Sequence, residues 1–139
     1  MEGNVYNKLR MGFEGAINIL YVDDEIVNLN AFKATFRRHF NVYTAISATE
    51  GFIVLDTIKI DILISDQQMP GTKGIEFLKS IKSIHPKIIS FLLTGYADLK
   101  AVTCALSLGY VDKCIEKPWS AEQLKVDIEE AVSAINKKT

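Results

Sequence analysis

The amino-acid sequence predicts an α/β domain in which five helices cover a doubly wound, five-stranded parallel sheet. Short runs rich in β-branched residues alternate along the chain with longer stretches of helical spacing. The first, third and fourth runs are nearly all apolar, as strands buried on both faces require. Such alternation implies right-handed crossovers and helices on both faces of the sheet.

Five strands are predicted from the runs that favour extended structure. The fifth run carries Asp112 and Lys113, and a charged strand is better placed at an edge of the sheet. The predicted strands are INILYV (17–22), NVYTAI (41–46), IDILIS (60–65), IISFLL (88–93) and YVDKCI (110–115).

Helices are predicted where apolar residues recur every three or four positions. Ser47 and Ser120 each stand three residues before a Glu or Gln, a spacing that predicts the start of the second and last helices. A fourth helix is predicted over 98–108, with Gly109 as its C-terminal cap. The remaining apolar stripes are Ile26, Leu29, Phe32, Phe36 and Phe40; Ile75, Leu78, Ile81 and Ile84, stopped by Pro86; and Leu124, Ile128, Ala131, Val132 and Ile135.

Composition limits the classes of function. With 139 residues, 48% of them hydrophobic, the chain is long enough for one domain with a real core. A net charge of −1 gives no electrostatic footprint for nucleic acid. No apolar run approaches the roughly 18 residues of a membrane span. The first residues lack the apolar stretch of a secretory signal, so we expect a cytoplasmic chain with a polar extension at 1–15 and a domain at 16–139.

Polar residues follow four of the predicted strands, at the sheet edge where ligands bind in open α/β sheets. Asp23 and Asp24 follow the first strand, Asp66 the third, Thr94 the fourth and Lys117 the fifth. Each alone has an ordinary role, such as a helix cap. Together, carboxylates about 4 Å apart repel by roughly 4 kcal/mol per pair at an effective dielectric of about 20. A hard divalent cation relieves this repulsion, and Mg²⁺ suits oxygen ligands best.

The segments LYVDDE, ILISDQQMPG, FLLTGYAD and EKPWS resemble, in order and spacing, the receiver domain of two-component response regulators. The resemblance covers about residues 17–136 and implies the flavodoxin-like strand order 2-1-3-4-5. It implies that Asp66 is the phosphoacceptor for a partner histidine kinase or phosphotransfer protein. Thr94 and Lys117 would contact oxygens of the phosphoryl group. The chain would then be a phosphorylatable signalling domain rather than an enzyme.

The resemblance also implies how Mg²⁺ is bound. Asp24 and Asp66 would hold the ion directly, together with the backbone carbonyl of Gln68. Asp23 would act mostly through a metal-bound water. Pro118 is expected to follow a cis peptide bond, as in this family.

One position departs from the family pattern. Receivers usually place a tyrosine or phenylalanine three residues before the lysine, and here that position is Cys114. A small buried thiol that fills a gap in an edge strand is the simpler interpretation, and a redox-sensitive or altered switch is the other. Trp119 is expected on the surface of the fourth helix, fifth strand and fifth helix, through which such domains contact partners or form homodimers. A partly buried packing residue is the other interpretation, and the two do not exclude each other.

Three other functions compete with this one. An aspartate-nucleophile phosphatase would need a second aspartate where Gln68 stands. A flavin-binding module would need a phosphate loop rich in Ser, Thr or Gly after the first strand, whereas DDEIVN repels phosphate in the absence of a metal. A degenerate receiver that acts as a phosphorylation-independent scaffold remains open because of Cys114.

Overall fold

The computed structural model describes residues 16–95 and 99–138, and the side chains of these residues except at 99–101, 104 and 136–138. The predicted extension at 1–15 and the predicted start of the fourth helix at Asp98 lie outside the described residues. No helix within the described ranges is both long and apolar enough to cross a bilayer.

The predicted fold class and strand order are confirmed. All neighbouring strands run parallel, in the order β2-β1-β3-β4-β5. The strands are β1 (Asn18–Val22), β2 (Asn41–Ala45), β3 (Ile62–Asp66), β4 (Ile89–Thr94) and β5 (Lys113–Glu116). The helices are α1 (Ile26–Phe36), α2 (Ala48–Thr57), α3 (Gly74–Ile84), α4 (Leu99–Ser107) and α5 (Ala121–Lys138).

Two apolar layers pack on opposite faces of the sheet because successive strand residues point to opposite sides. In β3, Ile62 and Ile64 join the layer beneath α1 and α5, whereas Leu63 joins the layer beneath α2 and α3. Both faces of β3 are therefore dry, and its last residue, Asp66, is held rigidly at the carboxyl edge of the sheet.

Three predicted strands are displaced along the sequence. Strand β3 ends at Asp66 and strand β4 ends at Thr94, so each of these residues is the last of its strand rather than the residue that follows it. Strand β5 begins at Lys113 instead of Tyr110. The preceding Asp112 lies outside the strand; its carboxylate accepts a hydrogen bond from the Ser90 backbone N–H, and its own N–H donates to the Ser90 carbonyl, both at 2.8 Å. The predicted edge position of the fifth strand is confirmed.

Three members of the predicted apolar stripes are exposed rather than buried. They are Ile26 (64% exposed), Ile84 (60%) and Ile135 (42%). Each lies at or near a helix terminus, where the helix extends past the sheet. Phe40 is buried as predicted, but it follows α1 rather than belonging to it.

Both predicted helix caps are confirmed. The Ser47 hydroxyl accepts a hydrogen bond from the Glu50 backbone N–H at 3.1 Å, and the Ser120 hydroxyl accepts one from Gln123 at 3.2 Å. Gly109 follows α4 with a φ of 82°, the left-handed conformation typical of a C-terminal cap.

Candidate functional site

Asp66 lies at the carboxyl end of β3, between β1 and β4, and is 3% exposed. Its side chain forms an ion pair with the ammonium group of Lys117. Helix α3 begins directly against its backbone: a Cβ added at Gly74 would lie 2.3 Å from the carbonyl oxygen of Asp66. Only glycine permits this close approach, which fixes the position of Asp66 along the edge.

Three carboxylates meet at this edge. Asp23, Asp24 and Asp66 each offer an oxygen, and these oxygens lie within 4.8 Å of one another. Asp23 is buried, whereas Asp24 is exposed to solvent. A set of carboxylate oxygens with one open side suits a hard divalent cation that retains several waters, so these residues fit Mg²⁺.

The carboxylate of Asp23 is held by three hydrogen bonds. The Tyr21 hydroxyl donates to it at 2.6 Å, the Glu25 backbone N–H at 3.0 Å and the Asn28 side-chain amide at 3.1 Å. Burial, reinforced by this bond to Asp23, raises the pKa of Tyr21 far above its usual range, so the hydroxyl remains a donor. This arrangement leaves Asp23 less free than Asp24 to bind a cation directly.

Tyr21 and Asn28 were missed as site residues by sequence reasoning. The available signal was positional: Tyr21 precedes Asp23 by two residues, which places both side chains on the same side of an extended segment. With Asp23, both residues line a cavity of about 460 Å³ beside the cluster.

Burial also raises the pKa of Asp66. The nearby ammonium of Lys117 opposes this rise, while the charges of Asp23 and Asp24 add to it. A carboxylate that is removed from water and surrounded by like charges is costly unless cations compensate it. Lys117 supplies one such cation, and the cluster offers a place for another.

Thr94 and Lys117 reach the same edge from β4 and the segment after β5. The backbone N–H of Lys117 donates to the carbonyl of Thr94 at 3.0 Å, which joins the two segments. The Thr94 hydroxyl donates to the carbonyl of Gly95 at 3.1 Å. The peptide bond before Pro118 is cis, as expected.

Gln68 is exposed, and its side-chain oxygen accepts a hydrogen bond from the Lys73 ammonium at 2.8 Å. The amide of a glutamine cannot serve as the general acid that phosphatase chemistry requires. The role of its backbone carbonyl as a metal ligand stays a prediction.

The ring of Trp119 packs against Phe32 and Phe36 of α1, at centroid distances of 5.7 and 5.6 Å, which confirms its interpretation as a partly buried packing residue. Its place on a partner surface stays a prediction. It also lines the cavity that contains Asp23 and Lys117. Cys114 is half-buried and packs against the opposite apolar layer, as a small packing residue would.

An open parallel sheet whose carboxyl edge gathers three carboxylates and a lysine defines a flavodoxin-like domain with an acidic pocket where the strand order reverses. Residues 19–129 match the family described as the response regulator receiver domain. The chain belongs to this family, whose members are signalling domains of two-component response regulators.

Similar proteins agree with this family. The hydrogenase transcriptional regulatory protein HoxA of Cupriavidus necator is 32% identical over 116 residues, which are 84% of this chain and 24% of HoxA. A receiver domain from Clostridium thermocellum is 32% identical with a TM-score of 0.82, covering 88% of this chain and 99% of that one. A CheY-like receiver domain from Methanospirillum hungatei is 25% identical with a TM-score of 0.83, covering 90% and 100%. The chain thus spans about a quarter of the length of HoxA.

Proposed function

We propose that this domain accepts a phosphoryl group on Asp66 from a histidine kinase or a phosphotransfer protein. The observation that carries the proposal is the pairing of Asp66 with Lys117 inside the cluster formed with Asp23 and Asp24. An aspartate with only a structural role needs neither a lysine partner nor two neighbouring carboxylates. A nucleophile for phosphoryl transfer needs a fixed position and nearby positive charge.

In the proposed reaction, a carboxylate oxygen of Asp66 attacks phosphorus. A bond forms between this oxygen and phosphorus, while the bond from phosphorus to the donor nitrogen of phosphohistidine breaks. Lys117 would then pair with an oxygen of the transferred group and release its present hold on the carboxylate. The Thr94 hydroxyl, now bonded to the Gly95 carbonyl, would donate to another phosphoryl oxygen.

Mg²⁺ fits this proposal as the resident cation. Asp24, Asp66 and the backbone carbonyl of Gln68 would hold it directly, and Asp23 through a water. When bound, the ion would supply positive charge that offsets the carboxylates and the entering phosphoryl oxygens. The three hydrogen bonds to Asp23 would keep its carboxylate oriented toward that ion.

Phosphorylation would in turn change the affinity of the domain for a partner, including a second copy through the surface of α4, β5 and α5. A second candidate function is a scaffold that binds its partner regardless of phosphorylation. Cys114 favours it, because the ring that receivers usually carry on β5 is missing.

Labelling with acetyl phosphate tests the acceptor. Asp66→Asn should abolish acid-stable, hydroxylamine-sensitive labelling, because no other described aspartate combines burial with a lysine partner at this edge. Asp56→Asn is the matched control, because Asp56 is exposed on α2 and should leave labelling unchanged. Full labelling of Asp66→Asn would overturn the assignment.

Calorimetry separates the two candidate functions. If the domain is a phosphoacceptor, Mg²⁺ should bind the intact protein and should bind the Asp24→Asn variant much more weakly. If the intact protein binds no Mg²⁺ and takes no label, yet still captures its partner, the scaffold function is correct instead.

A further inference from the structure

An apolar groove lies at the end of the sheet opposite to Asp66, with a volume of about 540 Å³. Its floor is formed by Ile60, Ile89 and Val132, each at most 8% exposed. Its rim carries Ile84 at the end of α3 and Ile135 on α5, which are 60% and 42% exposed. Two large aliphatic side chains are thus held open to water beside an apolar floor, although their burial would stabilise the protein.

The chain enters the domain at the mouth of this groove. The backbone N–H of Asn18 donates to the Asp61 carboxylate at 2.8 Å, and the Asn18 side chain donates to the carbonyl of Lys59 at 2.8 Å. Asp61 and Lys59 both line the groove. The segment 1–15 is therefore joined to the domain close to the groove. At roughly 3.3 Å per extended residue, its fifteen residues are long enough to span the groove completely.

We propose that residues 1–15 dock in this groove, with the side chains of Leu9 and Phe13 packed on Ile84 and Ile135. The segment carries six large apolar residues among its fifteen: Met1, Val5, Tyr6, Leu9, Met11 and Phe13.

The groove and the segment both carry mixed charges: Lys59, Lys87 and Asp61 line the groove, and the segment has Glu2, Glu14, Lys8 and Arg10. The covalent tether, rather than charge, selects this occupant. A tethered segment meets the groove at an effective concentration in the millimolar range, which favours it over a free partner. A stable interface between two copies needs roughly 800 Å² on each, and two exposed isoleucines do not provide that.

Methyl NMR of the full chain tests the proposal. We expect nuclear Overhauser contacts between the ring of Phe13 and the methyl groups of Ile84 and Ile135. Phe13→Ser should remove these contacts and shift the Ile84 and Ile135 methyl signals. The methyl signal of Ile53, equally exposed at 59% but on α2, should not move. Unchanged Ile84 and Ile135 signals in Phe13→Ser would overturn the proposal.

A mixed sample of labelled and unlabelled chains identifies the occupant. Contacts seen only between different copies would overturn the proposal in favour of a dimer, whereas contacts within one copy support it.

Trypsin gives a second measure, since it cleaves after Lys8 and Arg10. The cleavage rate follows the fraction of molecules in which the segment is undocked. Ile84→Gln should raise this fraction, so cleavage should become roughly fivefold faster. Ile53→Gln is the matched control, and its cleavage rate should equal that of the unmodified protein. Equal rates in both variants would contradict docking. These outcomes do not depend on phosphorylation of Asp66.

Discussion

Gly74→Ala should damage both the stability of the domain and the position of its acceptor. The added Cβ would lie 2.3 Å from the Asp66 carbonyl oxygen, 2.9 Å from the Gln67 Cα and 2.9 Å from a Leu92 methyl. The first two are backbone atoms, so no side-chain rotation relieves the contact. The start of α3 cannot move away freely, because the Gly74 and Ile75 backbone N–H groups both donate to Gln67, at 3.0 and 2.8 Å.

The expected cost follows from this geometry. To reach ordinary contact, the end of β3 and the start of α3 must separate by about 1 Å, in a close-packed interior that resists such shifts. Overpacking of this kind typically costs about 1–3 kcal/mol. Alanine recovers up to about 1 kcal/mol through its lower conformational freedom in the unfolded chain. We therefore expect the free energy of unfolding to fall by about 2 kcal/mol.

Because Asp66 itself must shift, labelling by acetyl phosphate should also slow, by roughly 10- to 100-fold for a displacement near 1 Å. Urea unfolding followed by circular dichroism measures the first effect, and gel-shift labelling rates measure the second. Gly95→Ala is the control for stability, since a Cβ there would meet no described atom within 4 Å. If both variants unfold within about 0.5 kcal/mol of each other, the close approach does not hold Asp66 in place.

Three further predictions concern Tyr21, Trp119 and Cys114. Tyr21→Phe removes a donor to the nearby carboxylate and should weaken Mg²⁺ binding by about tenfold in calorimetry, whereas Tyr43→Phe, a half-buried tyrosine on β2, should not. Mg²⁺ should change the fluorescence of Trp119, the only tryptophan, in a saturable titration; a change of equal size in Asp24→Asn would contradict this. Burial raises the pKa of Cys114, so with the other cysteine replaced by serine its alkylation should accelerate only above the ordinary thiol range; a rate midpoint at or below about pH 8.5 would refute this.

The alternation of segments was sufficient to predict the sheet, because burial on both faces leaves nearly continuous apolar runs in β1, β3 and β4. The bounds of β5 could not be predicted in this way. Directly before its start, the carboxylate of Asp112 accepts a hydrogen bond from the Ser90 backbone of the neighbouring strand. That contact exists only after the two strands are paired. The weakly apolar run at 110–115 gave no sign of it.

The residues at the carboxyl edge were predictable because each directly follows or ends a strand. Their supporting contacts were less so. The packing partners of Trp119 could not be predicted, because its neighbours in sequence say nothing about its neighbours in space. Its ring packs against Phe32 and Phe36. The apolar spacing of these two residues predicts helix α1, but it does not predict which ring covers them. The fit between two distant aromatic groups is a property of packing rather than of local pattern.

Cys114 limits how a signal could leave Asp66. It pairs in register with Leu92 and packs among apolar groups on the α4 side of the sheet. A thiol there has no ring to exchange between buried and exposed positions, and a group that contacts two states equally contributes nothing to their coupling. Thr94 differs, because its hydroxyl now donates to the Gly95 carbonyl and has an alternative acceptor once Asp66 carries a phosphoryl group. Under the proposed function, coupling to the segment that leads into α4 therefore runs through Thr94, and Cys114 serves only to fill space.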